Sequence, residues 1–289
     1  MHNFKRTAGI ISFLLVIVCM NEVLLLALKP CNFFRNDIYH ARTEQYNDIF
    51  VGTSHGKAGI HPGIVDEITG KKSMNLCLGG EYPIDSYFII KELCRKYIPE
   101  RVIYELDPGY WVTKPSLGPD YATVYEELPW SGVKLEYFNA KMKDIDFRAT
   151  LFPWYVYRQG YRNILTTLRT KLTREYMNYG DSFYRNEKEA YGHRSAVSIH
   201  RTNMPKSEEN LVLWDERKLE EESIEYFEKL VQLCQDKGID LIVITAPIPE
   251  ETREKYADSY EKADEYFREY MKKEGIVYYN FNEIEIEGF

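Results

Sequence analysis

Five short apolar runs separated by helical stretches limit this chain to an α/β fold. The runs are Asp48–Val51, Ser73–Leu78, Arg101–Leu106, Ile239–Thr245 and Ile276–Phe281. Between the second and third, Asp85–Lys96 carries Tyr87, Phe88, Ile90, Leu93 and Cys94 on one helical stripe. Glu216–Lys237 does the same with Leu219, Ile224, Phe227, Leu230, Val231 and Cys234, and Gly238 ends it. Tyr256–Glu274 is predicted as a further helix, and 57–69 as a helical segment interrupted at His61-Pro62-Gly63. Strands joined through helices of this length require right-handed crossovers, and therefore a parallel sheet.

The rhythm breaks over residues 110–213, read as one long insertion that is helical around 150–177. It holds Trp111, Trp130 and Trp154, and between Phe147 and Arg174 it has cations (Arg148, Arg158, Arg162, Arg169, Lys171, Arg174) and no acid. Such a surface suits an anionic glycan or lipid headgroups; a helical cap with a solvated basic face fits it equally. No internal repeat is present.

At the amino end Lys5 and Arg6 precede Gly9–Leu28, an apolar stretch interrupted at Asn21 and Glu22. Its length suits a bilayer span. It lacks a small-x-small cleavage site, so the reading is an uncleaved transmembrane helix rather than a signal peptide. The basic cluster places the amino terminus in the cytoplasm and the rest outside the plasma membrane, although Lys29 and Arg35 on the far side weaken that bias. The division is therefore 1–29 stub and anchor, 30–45 polar linker, and 46–289 α/β domain. Glu22 is costly within a bilayer and marks a contact with another membrane protein, or else snorkels.

Composition excludes several classes. A net charge of −8 argues against a general nucleic-acid binder. The five cysteines show no CxxC and no metal-like spacing with histidine, and read as free thiols. There is no metal-ligand cluster and no GxGxxG loop for a nucleotide or flavin, so no cofactor is expected. The 24 tyrosines suit carbohydrate, lipid-interface or protein contacts as well as a core.

Ser54 ends the first strand in Gly52-Thr53-Ser54, a turn that resembles the nucleophile block of the SGNH (GDSL-type) hydrolases. Asn75-Leu76-Cys77-Leu78-Gly79-Gly80 is similar to their second block, and Arg101–Asp107 falls where the third would lie. The Thr-Ser variant, the apolar amino end and Ala246-Pro247 look most like the membrane-anchored branch, that of the teichoic-acid D-alanyl transfer and alginate O-acetylation proteins. The resemblance covers residues 46–107 and 215–281.

It implies a three-layer α/β/α flavodoxin-like fold with strand order 2-1-3-4-5 and the insertion at the carboxyl edge. It implies an O-acyltransferase or esterase working through a serine acyl-enzyme on a surface polysaccharide or teichoic acid, beside an integral-membrane acyltransferase. Ser54 is then the nucleophile, the N–H groups of Ser54 and Gly80 are oxyanion donors, and Asn75 and Asp107 are substrate-orienting candidates. Two departures stand out. The third block usually carries Asn, and an ionised Asp107 accepts but cannot donate. The family's base comes from Asp-x-x-His after the fifth strand, whereas no histidine follows His200. His55 adjoins Ser54 and should point away from it, nothing favours His61, and His193 and His200 lie in the insertion. The expectation is that the base lies beyond Phe289 or has been lost. The rival reading is a non-catalytic, SGNH-like glycan-binding or scaffold protein of a cell-envelope assembly complex.

Overall fold

A parallel sheet in the order β2-β1-β3-β4-β5 organises the computed structural model, which describes residues 2–117, 120–143, 145–180 and 211–284. In chain order, α1 (His2–Leu28) and α2 (Phe34–Thr43) lead into β1 (Asp48–Gly52), α3 (Ser54–Gly59), α4 (Pro62–Thr69) and β2 (Ser73–Asn75). Next come α5 (Pro83–Leu93) and β3 (Arg101–Glu105), then a run of short helices: α6 (Thr123–Glu127), α7 (Gly132–Tyr137), α8 (Phe147–Leu151), α9 (Ile164–Lys171) and α10 (Arg174–Met177). The rhythm resumes with α11 (Glu221–Lys237), β4 (Asp240–Thr245), α12 (Glu250–Lys255), α13 (Ala257–Glu274) and β5 (Val277–Asn280). The strand order is the one expected. Register at the start of β1 and β3 is locked where the Arg101 guanidinium forks Asp48 at 2.7 and 2.6 Å.

The two faces of the sheet differ. Ile49, Val51, Val102, Tyr104 and Val243 are buried on one face with Phe88, Phe227 and Phe267 of α5, α11 and α13. Each such buried side chain contributes on the order of 1.5–3 kcal/mol. On the other face Phe50 and Ile103, with Cys77, are covered by Ile60 and Val65 from the α3–α4 segment. That cover thins along the row Phe50, Ile103, Ile242, Val277: the first two are buried, Ile242 is half-buried and Val277 is 48% exposed.

The expected linker at 30–45 is corrected by α2. Phe34, Ile38 and Ala41, spaced for one helical face, are buried in the main core. Polar Asn36 and Asp37 are buried too, and Asp37 takes a 2.9 Å bond from Lys57 of α3. A short helix rich in polar residues therefore reads as linker although it is core. The second strand is shorter than its apolar run, but Leu76 and Leu78 still donate from their N–H groups to Phe50 and Gly52.

Within α1, Phe4–Leu28 is long and apolar enough to cross a membrane. Glu22 is exposed. The last turns are sheathed by the insertion: Leu24, Leu25 and Leu28 pack with Met142, Ala149, Val156 and Tyr157.

Candidate active site

The β1–α3 turn is built from its interior. Gly52 has φ 140°, and a Cβ there would lie 2.4 Å from the Glu105 carbonyl oxygen, so only glycine fits. Its N–H donates to Glu81 Oε1 at 3.1 Å. The Thr53 N–H and Oγ1 both donate to Glu105 Oε2 at 2.8 Å. Thr53 also caps α3, accepting from the His55 N–H at 3.3 Å. A Cβ on Gly56 would sit 2.6 Å from Cys77 Sγ, so this glycine lets α3 lie against the end of β2. Ser54 stands exposed on this fixed turn, and among the described residues neither its hydroxyl nor its N–H makes a hydrogen bond.

Ser54 opens onto a cavity of about 820 Å³ at the carboxyl edge of the sheet. Gly80 and Asp107 line it as well, so three of the four residues proposed from sequence come together. Gly80 has φ 78° and donates its N–H to the Tyr110 hydroxyl at 3.3 Å. Asp107 accepts from the Gly109 N–H at 2.9 Å, and its other oxygen lies 3.4 Å from His55 Nδ1. Asn75 does not line the cavity. Its fully buried amide donates to the Gly56 and Ile60 carbonyls at 3.0 Å and accepts from the Cys77 N–H, which ties β2 to α3. His61 accepts from the Ile64 N–H at 3.2 Å as the cap of α4. His193 and His200 lie outside the described residues.

The opposite end of the cavity is formed by β4, β5 and α13. Asp264 Oδ1 accepts from the Tyr278 hydroxyl at 3.0 Å and from Asn280 Nδ2 at 2.9 Å, and Thr245 Oγ1 is 3.0 Å from the same hydroxyl. Asn282 binds the Ala246 carbonyl through Nδ2 and accepts the Ile248 N–H at 2.8 Å. These groups present oxygen and amide edges suited to a polar ligand.

Glu81 and Glu105 are the residues that sequence reasoning missed. Burial pushes the Glu81 carboxyl well above the usual carboxylate range, against the bonds from Ser86 and Gly52. Burial and then the nearby Asp107 raise Glu105, while His55 and Thr53 oppose the rise. One oxygen of each carboxyl, Glu81 Oε2 and Glu105 Oε1, is buried without a partner, and holding a proton lowers the cost of that burial. The available signal was an acid at the end of an otherwise apolar strand and another just after the glycine pair. Burial also raises the Tyr110 phenol, which therefore remains a neutral hydroxyl able to donate.

Among the described residues no group of three or more His, Cys, Asp or Glu side chains is placed to hold a metal ion. In comparisons with known proteins, no family model matches the chain and no curated protein matches it.

Proposed function

We propose that the protein is an SGNH-like serine O-acyltransferase or esterase of flavodoxin-like fold, acting on a cell-surface polysaccharide or teichoic acid. The observation that carries this reading is Ser54. It is an exposed serine at a cavity, its hydroxyl and its N–H unspent among the described residues, on a turn whose preceding residues, Gly52 and Thr53, are committed to buried bonds. In the reaction Ser54 Oγ attacks the acyl carbonyl of a donor ester. The carbonyl π pair moves onto oxygen, where the Ser54 and Gly80 N–H groups receive it. Tyr110 hydroxyl, the present acceptor of the Gly80 N–H, turns its own O–H to the same oxygen. Collapse breaks the donor C–O bond, and the donor alkoxide leaves with the proton that Ser54 Oγ gave up to a base; an acceptor sugar hydroxyl, or water, then takes the acyl group from Ser54 as its own proton passes to that base and on to Ser54 Oγ. His55, paired with Asp107, is the one histidine among the described residues that lines the same cavity, and it relays that proton.

In this reading α1 crosses the plasma membrane, the α/β domain faces outward, and an integral-membrane acyltransferase supplies the acyl group. An impermeant thiol reagent should label an engineered surface cysteine of the α/β domain in intact cells; labelling only after lysis refutes the orientation.

The second reading, a non-catalytic glycan-binding or scaffold protein, is favoured by one observation: no described residue hydrogen-bonds the Ser54 hydroxyl as a base would. Measuring ester groups on the surface polymer separates the two. Ser54→Ala should abolish them while the protein still folds and inserts. Wild-type ester content in that variant leaves the scaffold reading standing.

A further inference from the structure

The proposed chemistry leaves one surface unused, the outer side of the insertion where it wraps the end of α1. We propose that this collar is a membrane-interface platform, seated in the headgroup and outer acyl layer of an anionic bilayer around the exit of α1.

Three observations support it. The first is depth. A span starting at Gly9 must run to about Leu28 to cross the ~30 Å of hydrocarbon. Asn21 lies roughly 10 Å below Leu28 along the helix, and its Nδ2 donates to the Leu151 carbonyl at 2.8 Å. The end of α8 is thus held at a level inside the span. At the top of the helix, Lys171 donates to the Leu26 and Lys29 carbonyls at 2.6 Å, bonding the otherwise unpaired carbonyls of the last turn. The collar is therefore bonded to α1 at both levels.

The second observation is the apolar face. Leu165 on α9 and Leu172 just past its end are each 70% exposed, and Phe147 and Leu151 on α8 are 68% and 60% exposed. Helix α9 packs beside α1, whose apolar side chains from Ile10 to Met20, Ile17 apart, are themselves exposed. The third is charge. Arg158, Arg162 and Arg169 are exposed, and none forms an ion pair with a described residue. Apolar side chains beside unpaired cations are what an anionic headgroup layer accepts.

The test uses the full chain reconstituted in phosphatidylcholine vesicles with and without phosphatidylglycerol. A bimane label is placed by Leu165→Cys or Leu172→Cys in a Cys19→Ser, Cys31→Ser background, with Lys273→Cys on α13 as control. Its parent side chain is 80% exposed. A lipid carrying a nitroxide near the top of its acyl chain should quench the labels at 165 and 172 about threefold more than the label at 273. Phosphatidylglycerol should increase that quenching, and Arg158→Gln, Arg162→Gln, Arg169→Gln together should remove at least about half of the increase. Equal quenching at the three sites overturns the proposal. Shielding of the 165 label by added heparin, with no quenching from the lipid, overturns it in favour of a glycan surface. An unchanged lipid response in the arginine variant overturns the anionic part. All substituted positions are exposed except Cys31, which is half-buried, and a circular-dichroism spectrum like that of the parent certifies the fold of each variant.

Discussion

The two ends of the cavity are built differently. At the β1–β3 end every strand residue of β1 is buried, and the turn that carries Ser54 is held by carboxyls from two other elements. At the β4–β5 end the strands are half-exposed, with Tyr279 55% accessible, and the polar residues bond mainly to one another. A turn bonded to buried groups cannot shift without leaving donors unpaired, whereas a partly solvated network can exchange its bonds with water. The first end fixes an atom in place, as a nucleophile requires. The second offers adaptable contacts, as ligand selection requires.

Four measurements break or sharpen this contrast. Gly52→Ala should have the largest effect. Its Cβ would meet the Glu105 carbonyl at 2.4 Å in a backbone conformation that alanine resists, and unfolding in detergent should show a loss of about 3 kcal/mol or more. A variant of wild-type stability would mean that the turn is not rigid. Glu105→Ala leaves the Thr53 N–H and hydroxyl without their acceptor and should cost about 2–3 kcal/mol. Glu105→Gln keeps an acceptor oxygen and should recover most of that.

Stability should also depend on pH in a definite direction. Glu81 and Glu105 are raised in the folded protein, so the folded state holds their protons more tightly than the unfolded chain does. Their contribution is fully present below the unfolded value of about 4.3. It falls as pH climbs toward the folded values, with a slope of at most about 1.4 kcal/mol per pH unit for each carboxyl. Glu81→Gln should flatten that slope, and an unchanged profile would show that Glu81 ionises alike in both states. The smallest effect belongs to the other end: Asp264→Ala should cost about 1 kcal/mol, because its partners Tyr278 and Asn280 are within reach of water. A loss exceeding that of Glu105→Ala would reverse the comparison.

Much of this was legible in the residues. The alternation of apolar runs and helical stripes identified five parallel strands: β1–β3, buried on both faces, leave an unbroken apolar signature, and the half-exposed β4 and β5 each follow an amphipathic helix. Ser54 and Gly80 were visible as small residues at strand ends, where the backbone turns. Asp107 was found by position, but its pairing with His55 across the turn was not, because adjacency to Ser54 argued for a side chain pointing elsewhere. Glu81 and Glu105 stayed hidden because a carboxyl in sequence reads as solvent-exposed unless its partners are known. Those partners are a backbone N–H and a hydroxyl for each carboxyl, from Gly52 and Ser86 for Glu81 and from Thr53 for Glu105, and backbone donors carry no sequence signature. Asn75 was misread for the same reason, as its amide holds backbone carbonyls beneath the cavity. Helix α2 escaped because three apolar residues among polar ones give too weak a stripe.

The claim that Ser54 is the reactive atom of a built turn is tested most directly by labelling the protein in its native membranes with a fluorophosphonate probe and locating the adduct by mass spectrometry. A phosphonyl adduct is expected on the Ser54 peptide, absent in Ser54→Ala and reduced by orders of magnitude in Glu105→Ala, where the turn is released. A folded, membrane-inserted protein whose Ser54 stays unmodified, while other serine hydrolases in the same membranes are labelled, would contradict it.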